Sequence, residues 1–239
     1  MFSELRSRSP DPGLGGVWLY EVCRTGAVTV LREFFGAEAY HAERVPKEGA
    51  LILAANHQSY LDPPMVGGMA GTRHCSYLAK APLFSFKPFG ALLRAINCVP
   101  VSGDGGDAGS IREIVRRLDR GHAVVIFPEG GRTFTGAMTP LKRGILLLVK
   151  RARCPVLPVA VEGCYDAWKR NGKPRPFTSP IAVMYGQPIP YDELMKDGPE
   201  AALERLHREI DGMRRELRAM LRRQTRGEYP KPGAGDQVS

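Results

Sequence analysis

The strongest constraint in this sequence is a series of short apolar runs with helical patterns between them. Residues 50–55 read Ala-Leu-Ile-Leu-Ala-Ala and residues 123–127 read Ala-Val-Val-Ile-Phe, with no polar residue in either. A strand covered on one face alternates apolar and polar side chains, whereas an unbroken apolar run of this length belongs to a strand covered on both. Residues 156–161 make a third such run, and 74–79, 96–101 and 181–185 are weaker strand candidates. Between them, Ile111, Ile114, Val115 and Leu118 recur at i, i+3, i+4 and i+7, the stripe of an amphipathic helix. Ser110 and Glu113 have capping-box spacing at its start. Residues 141–151 read as a second helix. Strands alternating with helices predict an α/β fold, a mostly parallel central sheet flanked by helices.

Longer amphipathic helices are expected at both ends of this core. In residues 14–35, Trp18, Val22, Val28, Leu31 and Phe35 form an apolar pattern broken by Glu21, Arg24, Arg32 and Glu33. It reads as a helix packed on the core; the alternative is an interfacial helix with Trp18, Phe34 and Phe35 dipping into lipid. In residues 199–224, Leu203, Leu206, Ile210, Met213, Leu217 and Met220 make one seam, and seven arginines lie between Arg205 and Arg223. It reads as a helix docked on the sheet, with a basic surface for anionic headgroups as the alternative. The predicted organisation is a flexible leader (1–13), a single domain (14–224, with a motif-bearing core at 44–190) and a disordered tail (225–239).

Charge narrows the partner classes. The chain has 34 Lys and Arg against 25 Asp and Glu, a net charge of +9. That balance favours nucleic acid, an anionic membrane or a phosphorylated substrate. The Arg-rich helix lacks interleaved aromatics and no nucleic-acid motif is visible, so nucleic acid is not expected. No uncharged apolar stretch approaches the ~20 residues needed to cross a bilayer, so the chain is expected to lie on a membrane rather than span one. None of the five cysteines has C-x-x-C spacing, which argues against a disulfide framework or a zinc finger.

Candidate chemistry follows two of the apolar runs. The first, at 56–63, is Asn-His-Gln-Ser-Tyr-Leu-Asp-Pro. In parallel sheets the loop after a strand's carboxyl end is the usual place for a site. His57 is suited to take and return a proton, and Asp62, five residues on, can turn back to orient the imidazole. With no nucleophilic Ser or Cys in an obvious motif, the pair suits activation of a substrate hydroxyl. The competing reading is a loop histidine with Asp62 as a helix N-cap. The second, at 127–133, is Phe-Pro-Glu-Gly-Gly-Arg-Thr. Gly130 and Gly131 allow close backbone approach to an anion, Arg132 offers a fork for phosphate, Thr133 a hydroxyl, and Glu129 a carboxylate for the loop or a substrate hydroxyl. A Pro-Gly turn with a surface arginine is the alternative. Lys142 and Arg143 then place two cations at the start of a helix, where an anion would offset the unfavourable dipole. Residues 154–163 are an apolar strand that could line an acyl channel or simply be sheet core.

In this order, the segments resemble the 1-acyl-glycerol-3-phosphate acyltransferase family. His57 and Asp62 match its His-x4-Asp motif, 127–133 its Phe-Pro-Glu-Gly-x-Arg-Ser/Thr motif, 142–144 its basic-Gly step and 156–163 its Val-x-Pro-Val-x-x-x-Gly strand. The resemblance spans residues 44–190. It departs at Gly103, where the family commonly carries an arginine that helps hold acceptor phosphate; Arg94, Arg112 and Arg143 are the candidate substitutes.

The resemblance implies acyl transfer from acyl-CoA or acyl-carrier protein to a lysophospholipid hydroxyl, at the cytoplasmic face of a membrane and without a cofactor or metal. His57 would be the general base, Asp62 its stabiliser, Arg132 the phosphate ligand, and the backbone at Gly130 or Gly131 the oxyanion donor. The alternatives are the same chemistry on glycerol 3-phosphate or another lysolipid, and a nonenzymatic protein that binds anionic lipid.

Overall fold

The computed structural model describes residues 14–102 and 108–237. The predicted leader, Gly103 and the last two residues of the predicted tail lie outside the described residues.

One seven-stranded sheet organises the chain. Its strands are β1 (Glu38–Tyr40), β2 (Leu51–Ala55), β3 (Cys75–Lys80), β4 (Cys98–Val101), β5 (Ala123–Ile126), β6 (Val156–Glu162) and β7 (Ala182–Tyr185), in the order β1-β7-β6-β2-β5-β3-β4. Every pairing is parallel except β6 with β7. The expected mostly parallel α/β sheet is therefore present. Sequence reading missed β1, a three-residue edge strand with no apolar run.

The helices are α1 (Leu14–Phe35), α2 (Lys87–Ala95), α3 (Ala108–Asp119), α4 (Gly144–Ala152), α5 (Cys164–Ala167), α6 (Tyr191–Leu194) and α7 (Pro199–Gln224). Side chains alternate across a strand, and the central strands are buried on both faces. Ile52, Ala54, Val124, Ile126, Val156 and Ala160 pack beneath α3, α4 and α7. Leu51, Leu53, Ala55, Val125, Leu157 and Val159 pack on the other side with Leu31 and Phe35 of α1 and with residues 61–70. This is why β2 and β5 read as unbroken apolar runs.

Two expectations are corrected, and one part of the alternative reading of α1 is excluded. Ser110 does not cap α3: the helix starts at Ala108, and the Ser110 hydroxyl donates to the Pro100 carbonyl (2.8 Å). Phe35 is core rather than a lipid contact, although Trp18 and Phe34 are exposed. Finally, residues 225–237 are not a disordered tail. They are strapped to α7 by its arginines: Arg214 donates to the Gly235 carbonyl (2.8 Å), Arg222 to the Pro230 carbonyl (3.0 Å), and Arg218 pairs with Asp236 (2.8 Å). Hydrogen bonds from Arg222 and Arg218 hold the Asp236 carboxyl well below its ordinary value. Gly- and Pro-rich composition signals disorder when apolar burial is the only source of order, but guanidinium groups supply the order here.

The same arginines fill an interior position. Arg214 is fully buried and Arg218 nearly so, and both pair with the buried Glu162 at the end of β6 (3.2 and 3.0 Å). Arg214 also pairs with Asp211 (2.6 Å). Burial pushes the Glu162 carboxyl up, and the two guanidinium groups pull it back. Two of the seven arginines read as a candidate lipid surface are thus structural. Removing one partner of such a network leaves an uncompensated buried charge. Arg214→Ala is expected to lower stability by about 3–5 kcal/mol, read as a fall in the urea unfolding midpoint, whereas Arg208→Ala on the exposed face should leave it unchanged.

Candidate active site

The site forms where two neighbouring parallel strands end together. Ala54 of β2 lies opposite Ile126 of β5, so the two chains leave the sheet at the same level. The loops that follow are 56–63 and 127–142, and they are tied to each other. The His57 backbone N–H donates to the Glu129 carboxylate (2.6 Å), and the Thr133 N–H donates to the His57 carbonyl (2.8 Å). The second Glu129 oxygen accepts the Thr139 N–H (2.8 Å) and hydroxyl (2.5 Å). Burial pushes the Glu129 carboxyl up, while its bonds from Thr139 and His57 lower it. Glu129 thus fixes the loop, one of the two roles expected of it, with both oxygens engaged by the protein.

The His57 ring lies 2.7 Å from Asp62, Nδ1 to Oδ2. Asp62 is fully buried, and its Oδ2 also accepts the N–H groups of Gln58 (2.5 Å) and Ser59 (2.7 Å). The loop closes around this carboxylate, which is the tight turn that His-x4-Asp spacing requires. With Nδ1 facing the carboxylate, the other ring nitrogen is the one available to a substrate. The imidazole stacks on Phe127 (centroids 4.1 Å apart, 19° between planes), which sets its tilt.

Asn56, Gln58 and Ser59 are scaffolding. The Asn56 amide bridges β2 to β6, donating to the Val161 carbonyl (3.0 Å) and accepting its N–H (2.8 Å). Gln58 donates to the Gly136 carbonyl (3.1 Å) and to Glu162 (3.2 Å), and it accepts the Tyr165 N–H (3.2 Å). The Ser59 hydroxyl donates to the Trp168 carbonyl (2.7 Å). Gln58 therefore joins the loop of His57 to the buried Glu162 and, through it, to α7. Cys164 lies beside Asp62; burial first, then that carboxylate, pushes its thiol well above the ordinary value. A thiol buried in this way is structural rather than reactive.

The other expected residues divide. At Gly130, where φ is +73°, an added Cβ would sit 2.7 Å from the Lys142 side chain, so Lys142 lies directly over this turn. The Gly130 N–H donates to the Phe127 carbonyl (3.0 Å) and is not free for an oxyanion. Gly131 is exposed beside it. The Arg132 guanidinium lies over the Tyr60 ring (3.4 Å to the centroid). Thr133 is buried, and its hydroxyl accepts the Thr135 N–H (3.2 Å). Arg143 is not brought to the site: it is exposed and pairs with Glu200 of α7 (2.9 Å). Among the other substitutes for a second phosphate arginine, Arg94 lies over Phe84 (5.2 Å) and Arg112 is exposed on α3. Sequence reasoning missed Thr139, Arg170, Arg214 and Arg218. Only the last two leave a one-dimensional trace, since they continue the four-residue step of Leu206 and Ile210 toward Leu217 and Leu221.

Comparison with known proteins agrees with this arrangement. The family model described as "Acyltransferase" matches residues 37–162, more than half of the chain. The 1-acyl-sn-glycerol-3-phosphate acyltransferase of Bacillus subtilis (strain 168) is 29% identical over 145 residues, covering 61% of this chain and 72% of its own. That of Cocos nucifera is 28% identical over 160 residues, and the match spans 65% of this chain but only 51% of the coconut protein. The crystal structure of the 1-acyl-sn-glycerophosphate (LPA) acyltransferase PlsC from Thermotoga maritima shares the fold, with a TM-score of 0.72, 21% identity and coverage of 88% of this chain and 85% of that one. The family match runs from the first strand to the last residue of β6 and encloses both strand-end loops, so this chain belongs to the acyltransferase family.

Proposed function

We propose that the chain moves a fatty acyl group from an acyl thioester, acyl-CoA or acyl-carrier protein, to the free hydroxyl of 1-acylglycerol 3-phosphate, forming phosphatidic acid. The observation that carries this reading is the ring of His57, oriented by a buried carboxylate, one loop away from the half-buried arginine Arg132. A base beside a phosphate-binding cation is what a phosphorylated alcohol needs. The printed names of the relatives support the same substrate class.

In this mechanism His57 takes the hydroxyl proton at its outward ring nitrogen as the acceptor oxygen attacks the thioester carbonyl. Asp62 stabilises the imidazolium that forms. Negative charge develops on the former carbonyl oxygen, and the backbone N–H of Gly131 is the donor assigned to it, since that of Gly130 is committed to Phe127. Collapse of the tetrahedral intermediate breaks the C–S bond, and the imidazolium returns its proton to the departing thiolate. Arg132 and Lys142 bind the acceptor phosphate.

The same reading places the enzyme on an anionic membrane surface. Among the described residues, no helix is long and apolar enough to cross a membrane. However, α1 exposes Trp18, Val22, Val30 and Phe34, and Phe34 packs on the exposed Phe177 (5.2 Å). The neighbouring α2 and the turn before it expose Leu83, Phe86, Phe89 and Leu92. Apolar side chains on a protein of net charge +9 fit an interface of lipid tails and anionic headgroups.

Two sets of measurements test these assignments. Thiol release from long-chain acyl-CoA should require 1-acylglycerol 3-phosphate, and His57→Ala should abolish it while leaving circular dichroism unchanged; acceptor-independent or undiminished release would refute the role of His57. Asp62→Asn should lower kcat by about a hundredfold or more, because the imidazole loses both its orientation and its counter-charge. Sedimentation with vesicles containing anionic lipid should carry down the wild type and leave Trp18→Ala/Phe34→Ala in the supernatant.

A further inference from the structure

Arg132 has a companion. Arg170 lies in the turn after α5, and its guanidinium donates to the Arg132 carbonyl (3.2 Å), while that of Arg132 donates in return to the Arg170 carbonyl (3.4 Å). Each guanidinium also stacks on an aromatic ring: Arg132 over Tyr60 (3.4 Å) and Arg170 over Phe134 (4.3 Å). Among the described residues, neither has a carboxylate within ion-pair distance, although ten other arginines do. Each guanidinium thus reaches across to the other residue's backbone with no counter-ion of its own, and both charges are left for an anion to meet.

The turn that carries Arg170 is held from both sides. The Ser59 hydroxyl donates to the Trp168 carbonyl (2.7 Å), the Trp168 ring N–H donates to the Gly172 carbonyl (3.0 Å), and the Tyr60 and Trp168 rings pack at 5.2 Å. The loop of His57 and Asp62 therefore sets the position of Arg170. Arg132 in turn leaves the backbone next to Thr133, whose N–H is bonded to the His57 carbonyl. Arg132 is thus carried by the loop that binds the His57 backbone, and Arg170 by a turn braced against the loop of His57.

We propose that Arg170 is a specificity-determining residue, which with Arg132 forms a two-guanidinium clamp for the phosphate monoester of the acceptor. The proposal rests on the acyltransfer reading above. A phosphomonoester carries up to two negative charges and three terminal oxygens, which suits two forks better than one. In a glycerol phosphate the phosphorus is a few bonds from the reacting hydroxyl, close enough for cations set beside His57. The phosphates of an acyl-CoA lie beyond the whole pantetheine arm from the thioester, so the clamp belongs to the acceptor.

The test compares wild type, Arg170→Gln and Arg170→Lys with acyl-CoA and either 1-acylglycerol 3-phosphate or monoacylglycerol. Arg170→Gln is expected to raise KM for the phosphorylated acceptor about tenfold, the loss of one charge-assisted hydrogen bond. KM for acyl-CoA should not move, and the preference for the phosphorylated acceptor over monoacylglycerol should fall by the same factor. Arg170→Lys should recover part of the loss, which a purely structural role would not require. An unchanged acceptor KM, an equal loss with monoacylglycerol, or a rise confined to acyl-CoA would overturn the role of Arg170 while leaving the acyltransfer reading intact. No transfer by the wild type to any phosphorylated acceptor would overturn both.

Discussion

The register between β2 and β5 is the constraint on which the rest of the site depends. Because Ala54 stands opposite Ile126, the chain leaves both strands at one level, and the first polar residues of each loop meet across the gap. The His57 backbone N–H then donates to Glu129, and the Thr133 N–H donates to the His57 carbonyl. A shift of one residue would turn the apolar set of either strand to the opposite face. Both faces of these strands are apolar, so the register is held by the fit of side chains in the two packed cores rather than by polarity.

A second layer of control comes from buried charge. Asp62 and Glu162 are both nearly inaccessible to water; Asp62 is held through Oδ2 by the His57 ring and two backbone N–H groups, and Glu162 by Arg214 and Arg218. Gln58 connects them: its backbone N–H bonds Asp62 and its side chain bonds Glu162. The helix α7 and the strap that follows it are therefore coupled to the loop that carries His57, although neither contributes a residue to it. Such a network is weak evidence for high stability, but it is specific in geometry, since any one partner removed strands another.

The positive charge of the chain is distributed among three tasks. Arg214 and Arg218 neutralise interior carboxylates, and Arg222 fastens the strap to the helix. Arg132 and Arg170 exchange hydrogen bonds with each other's backbone, stack on aromatic rings and have no acidic partner in range among the described residues. The exposed remainder, with the apolar rim of α1 and α2, faces outward. Net charge alone could not separate these roles, because composition counts an arginine equally in each.

The mostly parallel sheet was legible in the apolar runs of β2, β5 and β6, because burial on both faces imposes a composition that one dimension records. The placement of His57 and Glu129 after strand ends was legible for the same reason, and the His-x4-Asp spacing is itself the turn that brings ring to carboxylate. Tertiary structure alone decided where the basic residues lie: Lys142 stays over Gly130, Arg143 turns to Glu200, and Arg170 meets Arg132 from a turn with no motif of its own. It also decided that residues 225–237 are ordered, since their partners are arginines on a helix face. Local spacing encodes contacts within a turn or along one strand. A hydrogen bond between residues tens of positions apart depends on which strands become neighbours, and the pattern of a single segment does not contain that information.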